Sequence, residues 1–214
     1  MDKSNMHTAY RQELRSKILK IATKEFRSKG IRAVKMDDIA GILSISKRTM
    51  YEIYENKEQL LLESVKENQK NFDRQMQAYT DNGKRNVIDI ILEFYRLEMS
   101  DLSSVNPSYL PELHRYPKIM SWIKQKRERH EHNALQFFQK GVEEGYFRPD
   151  ANYEILLKIS DGTKNYIVEN QLYKHYAPKE IFRNVIMLYL RGLCTLKGIR
   201  EFDSQIARLD MQNN

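Results

Sequence analysis

Within six positions the chain places Lys47, Arg48, Thr49, Tyr51 and Glu52. Two cations, a hydroxyl, a phenol and a carboxylate offer charge and hydrogen bonds to a partner. On a helix that starts near Lys47, Met50 and Tyr54 lie four apart and turn to one side. The five polar residues are then left on or near the other. Such a helix fits the major groove of DNA, its N-terminal residues offered to base edges. The same pattern also suits a plain helical hairpin with a solvated polar face.

The elements that must position these residues are legible from period and punctuation. Leu14, Ile18, Ile21, Ala22 and Phe26 recur at three- and four-residue intervals, predicting a helix over residues 10–29 that Gly30 closes in a left-handed cap. A short helix follows over 36–43, with Asp37 and Asp38 at the positive end of its dipole. Ser44, Ile45 and Ser46 break the pattern before a third helix over 47–54. Ile39, Ala40, Leu43, Ile45, Met50 and Tyr54 point inward and pack this pair against the first helix. Asn56 with Gln59 resembles a capping box that opens a fourth helix over 57–79. Further helices are predicted over 87–102, 109–116, 119–144, 153–173 and 179–201, the last with Pro178 at its first turn. No segment reads as a strand, and residues 203–214 read as a tail. The fold class is therefore all-α: a three-helix head followed by a helical bundle.

Of 214 residues, 41% are apolar and 30% charged, the balance of a globular protein with a real core. The charge of +7 is uneven: residues 1–60 hold 13 Lys and Arg against 8 Asp and Glu, the remainder 23 against 21. A basic N-terminal quarter suits a polyanion. The first thirty residues are studded with charge, so no secretory leader is expected, and no apolar run is long enough to span a bilayer. A cytoplasmic protein with no membrane partner is expected. The lone Cys194 cannot form an internal disulfide; Leu193 and Leu196 beside it suggest a buried, inert thiol.

Rival chemistry is thin. His130 and His132 point about 200° apart on a helix and cannot share one ion. Glu128 and His132 can share a face, but a bundle di-metal site needs such pairs on facing helices. No phosphate loop or nucleophile elbow is present. No catalytic site, metal or cofactor is expected. A helical enzyme and an effector-independent DNA-binding protein remain the alternatives.

Residues 38–60 resemble the TetR family of repressors, whose usual form is D-I-A-x-x-A-G-V-S-x-x-T-L-Y-x-Y-F-x-x-K-E-x-L. Asp38, Ile39, Ala40, Ser46, Thr49, Tyr51, Lys57, Glu58 and Leu60 match outright, and Ile45, Met50 and Tyr54 are conservative replacements. The close resemblance covers about residues 11–62. It implies that Thr49 and Tyr51 contact phosphate and base edges, and that Lys57 anchors the DNA backbone. Lys47 and Arg48 then read bases, Arg48 by a bidentate contact to guanine. The departures are specific. Ser44 replaces the turn glycine, which suggests a local serine hydrogen bond. Lys35 replaces the usual Thr or Ser cap, losing about 1 kcal/mol but adding a cation near the phosphates. Ile53 replaces an aromatic residue. Glu52 stands where histidine is common; it repels phosphate but can accept from a cytosine amine.

The resemblance divides the chain at residue 56, with 57–202 as a ligand-binding and dimerisation domain. The last predicted helix is apolar nearly all round: Ile181, Phe182, Val185, Ile186, Leu188, Tyr189, Leu190, Leu193 and Leu196. It needs cover on more than one side, and the family pairs its last two helices between subunits; burial within one chain is the alternative. Tyr95, Met99, Tyr109, His114, Trp122, Phe138 and Tyr166 are candidate linings of an effector pocket. The function implied is a homodimeric transcriptional regulator, a repressor released from an inverted-repeat operator by a small molecule.

Overall fold

The computed structural model describes residues 3–212. Its helices are α1 (Lys3–Lys29), α2 (Met36–Ile42), α3 (Lys47–Ile53), α4 (Lys57–Asp81), α5 (Val87–Ser103), α6 (Tyr109–Leu113), α7 (Pro117–Glu143), α8 (Tyr153–Glu169), α9 (Pro178–Ile181), α10 (Met187–Leu193) and α11 (Leu196–Gln212). A π-helical stretch, Phe182–Ile186, joins α9 to α10. Among the described residues the only β pairing is an isolated bridge between Phe147 and Cys194. The helices fall into two compact units, Met1–Asp73 with Ser104–Trp122 and Arg74–Ser103 with Ile123–Asn214.

In the first unit, Leu14, Ile18, Ala22 and Phe26 recur every fourth residue of α1 and are all buried. α2 packs on both α1 and α3, where Ile39, Ala40, Met50 and Tyr54 are buried. Leu43 and Ile45 are half-buried at the turn. Gly30 ends α1 at φ 87°, its amide donating to the Phe26 carbonyl at 3.0 Å. A Cβ there would also collide with Ser108 Oγ, so glycine serves the close approach as well as the left-handed turn. The expected head, residues 1–56, lies inside this unit, which also takes in the first part of α4, α6 and the start of α7.

The second unit is built on Val87, Ile88, Ile91, Leu92, Phe138, Phe147, Leu190, Leu193, Cys194 and Phe202. Phe138 stacks on Tyr153 with centroids 4.8 Å apart. Cys194 is buried, as expected, and burial pushes its thiol up to about 11.

Three expectations are corrected here. The single last helix over 179–201 is broken at Cys194 and Thr195, where the chain pairs with another segment: Arg148 N–H donates to the Leu193 carbonyl and Thr195 N–H to the Tyr146 carbonyl, both at 2.9 Å. Thr195 Oγ1 then accepts the Gly198 amide and caps α11. The continuous apolar run hid this break, because Thr195 is one hydroxyl among leucines. The expected tail after Phe202 is instead helical to Gln212, anchored by buried Phe202 and by Asp203 bonding to Arg191. The helix predicted over 153–173 stops at Glu169, since Gln171 takes a left-handed φ of 55° before a short 3-10 turn at Leu172–Lys174.

Candidate nucleic-acid interface

α3 begins at a cap the sequence supplies. Ser46 Oγ accepts the Thr49 amide at 3.0 Å and lies 2.8 Å from Thr49 Oγ1, so the Thr49 hydroxyl is engaged with the cap. Met50 and Ile53 bury one face of the helix. Lys47, Arg48, Tyr51 and Glu52 stand exposed on the other. Tyr51 is 49% exposed.

Both cations on this face carry a carboxylate. Lys47 Nζ lies 2.5 Å from Asp37 Oδ2, and this bond holds the ammonium above the ordinary lysine range. Arg48 donates through Nε to Glu52 Oε1 at 2.8 Å. Among the described residues only Nε is engaged, so the two terminal nitrogens keep the fork that a bidentate base contact requires. Glu52, expected to meet DNA itself, holds Arg48 here.

The rim residues behave differently. Lys35 is the exposed N-cap of α2. Its side chain cannot accept a hydrogen bond, but its amide donates to Asp38 Oδ2 at 2.8 Å, which keeps the other half of the capping box. Lys57, at the first position of α4, is half-buried with Nζ 5.8 Å from the Phe26 ring centre. Burial lowers its ammonium below the usual value, against the charges of Glu112 and Asp38. Asn56 caps α4 by accepting the Gln59 amide, and Gln59 accepts the Glu55 amide in return. The hydrogen bond expected of Ser44 is absent: its hydroxyl has no partner among the described residues. The turn is instead held by Ser44 N–H to the Gly41 carbonyl and Ile45 N–H to the Ala40 carbonyl, with Ser44 at φ 54°.

Sequence reasoning missed one cluster. Arg11 and Arg15 of α1, Tyr54 behind α3 and Glu63 of α4 meet at the C-terminal end of α3. The four-residue spacing of the two arginines places them on one face of α1, but spacing cannot name backbone carbonyls as their targets.

In the second unit a cavity of about 70 Å³ is lined by Tyr95, Phe138, Leu156, Thr163, Tyr189 and Leu193, among others. Of the candidate linings, Tyr95 and Phe138 belong to it. Met99 is half-buried outside it, and Tyr166 is 59% exposed. Tyr109, His114 and Trp122 fall in the first unit, Tyr109 buried and His114 exposed. Among the described residues no three His, Cys, Asp or Glu side chains form a metal-holding group, and no helix is long and apolar enough to cross a membrane.

Residues 18–64 match the family model for bacterial regulatory proteins of the tetR family. No curated protein matches the sequence. Solved structures do match the fold. A transcriptional regulator from Saccharomonospora viridis, in complex with choline, has a TM-score of 0.70 at 19% identity, covering 86% of this chain and 99% of its own. A TetR-family regulator from Cytophaga hutchinsonii scores 0.67 at 16% identity, covering 87% and 97%. The fatty acid degradation regulator FadR from Bacillus halodurans scores 0.63 at 19% identity, covering 84% and 95%. Residues 18–64 thus carry the sequence pattern of the tetR-family helix-turn-helix, and the chain shares the fold of these solved regulators.

Proposed function

We propose that the chain is a cytoplasmic repressor that reads an inverted-repeat operator through α3 as a homodimer and releases it when a small molecule binds. The observation that carries this reading is the division of α3 into a buried apolar face and an outward face of Lys47, Arg48, Tyr51 and Glu52. In it, Arg48 and Lys47 read bases, Tyr51 and Thr49 meet phosphate, and Lys35 and Lys57 hold the DNA backbone. Residues 1–56 supply the DNA-binding head and 57–202 the regulatory body.

The dimer face lies on α8 and α10. Ile155, Ile159 and Tyr166 recur along α8 at helical spacing and are exposed, as are Leu188 and Tyr189 on α10. Leu190 and Leu193, which the sequence offered to a partner, serve the chain's own core. The cavity between these helices and Tyr95 suits a compact, mainly apolar effector. A ligand that widens it parts α8 from α10 and so alters the face that pairs the subunits, which supplies the differential affinity that release requires.

Selection of duplexes from a random-sequence library by the full chain should return an inverted repeat, because two-fold related subunits present equivalent helices. Footprinting should then protect two half-sites. One unrepeated half-site bound by one chain contradicts the reading.

A further inference from the structure

α3 is seven residues long, so its last carbonyls have no helical partners and depend on other groups. Two arginines of α1 provide them. Arg11 Nη2 donates to the Glu52 carbonyl at 2.6 Å, and Arg15 Nη1 to the Ile53 carbonyl at 3.3 Å. The cations also face the negative end of the α3 dipole. Arg15 pairs through Nη2 with Glu63 of α4, and its guanidinium carbon lies 4.6 Å from the Tyr54 ring centre. Tyr54, the C-cap of α3, is fully buried and donates its hydroxyl to Glu63 Oε2 at 3.0 Å. Burial and the Glu63 charge both oppose ionisation of that phenol, so it remains a donor.

One carboxylate therefore joins three helices: α4 through its own backbone, α1 through Arg15 and α3 through Tyr54. The hydroxyl is a feature of this chain, since the family pattern has phenylalanine at that position. A phenylalanine would fill the same space and leave Glu63 held by Arg15 alone.

We propose that Glu63 is a positioning residue that sets how α3 is seated, so that discrimination of the operator depends on the Tyr54–Glu63–Arg15 bonds although none of these residues meets a base. The proposal rests on the DNA-binding reading. The side chains at issue lie behind α3, whereas Lys47, Arg48 and Tyr51 lie in front, so loosening the seat misaligns base contacts and leaves phosphate attraction in place.

The test compares Glu63→Gln, Tyr54→Phe and the double variant in the full chain, on the duplex selected by the wild type and on a scrambled duplex. Each single variant should lower the ratio of operator to scrambled affinity roughly tenfold, within the usual range for coupled contacts. Scrambled affinity should stay within about twofold and its salt slope unchanged. The double variant should lose no more than the stronger single one, because both cut the same link. Tyr54→Phe removes one oxygen and retains the packing, so a folded variant is secured, and circular dichroism checks it. An unchanged ratio in both variants overturns the proposal. So does a parallel fall on both duplexes with a lower melting temperature, or strict additivity in the double variant. A wild type that does not discriminate between the duplexes overturns the DNA-binding reading itself, and this proposal with it.

Discussion

α3 and α10 are both seven-residue helices with one buried and one exposed face, yet the exposed faces differ in their apolar content. That of α3 bears Lys47, Arg48, Tyr51 and Glu52, each cation next to a carboxylate. That of α10 also has a paired cation, Arg191 on Asp203, but sets it beside Leu188 and Tyr189, uncovered like Ile159 of α8, with which Tyr189 lines the cavity. A paired polar face is stable in water and, in the proposed function, meets a polyanion. An apolar face is costly in water and calls for a partner surface.

The largest effect should separate the two faces of α10. Leu190→Asp puts a carboxylate into the core of the second unit, at several kcal/mol, and should abolish its cooperative melting in circular dichroism. Tyr189→Asp, at the preceding position, should retain helix content while sedimentation reports monomers. If both variants fold and both dissociate, α10 has no intrachain face and the contrast fails.

On α3, Arg48→Ala should cost roughly tenfold to a hundredfold per half-site at one symmetric pair of base positions. Binding isotherms on duplexes varied at each position read this directly, and wild-type affinity in the variant removes Arg48 from base reading. Lys57→Ala should act on all sequences alike and flatten the salt slope by about one unit, since one phosphate fewer is neutralised. A sequence-dependent loss would move Lys57 from the rim to the reading face.

The smallest effect is conformational. Ser44 sits at φ 54°, a region that costs a side chain about 1 kcal/mol. Ser44→Gly should raise the melting temperature by roughly 2–4 °C, with operator affinity intact. A lower melting temperature would mean that glycine's extra freedom in the unfolded chain outweighs the relief.

The head was legible because its signals are local. Gly30, Ser46 and Asn56 each close or open a helix by a bond within four residues, and α1 repeats its buried residues every fourth position. The body was less legible because its decisions are made between distant segments. Thr195 breaks the last apolar run only because Tyr146 and Arg148 lie beside it. Leu188 and Leu190 are alike in type and two apart in sequence, and only the packing of Phe138, Phe147 and Phe202 decides which one is inside. The same limit applies at the site: Arg48 was named from its own helix, while Glu63 acts on α3 from another.

The ion pairs on α3 also bear on the speed of the search. A protein finds its operator by sliding and hopping on unrelated DNA, held by unscreened cations. As the reading cations of the proposed function, Lys47 and Arg48 would enter that search already engaged by Asp37 and Glu52, and the reading face would add little to non-specific adhesion. In the proposed reading, a correct base sequence meets the two terminal nitrogens of Arg48 while Nε stays on Glu52, whereas an incorrect one leaves that fork without a base partner. In that reading the long dwell on the right site comes from the fork that the Glu52 bond holds in place.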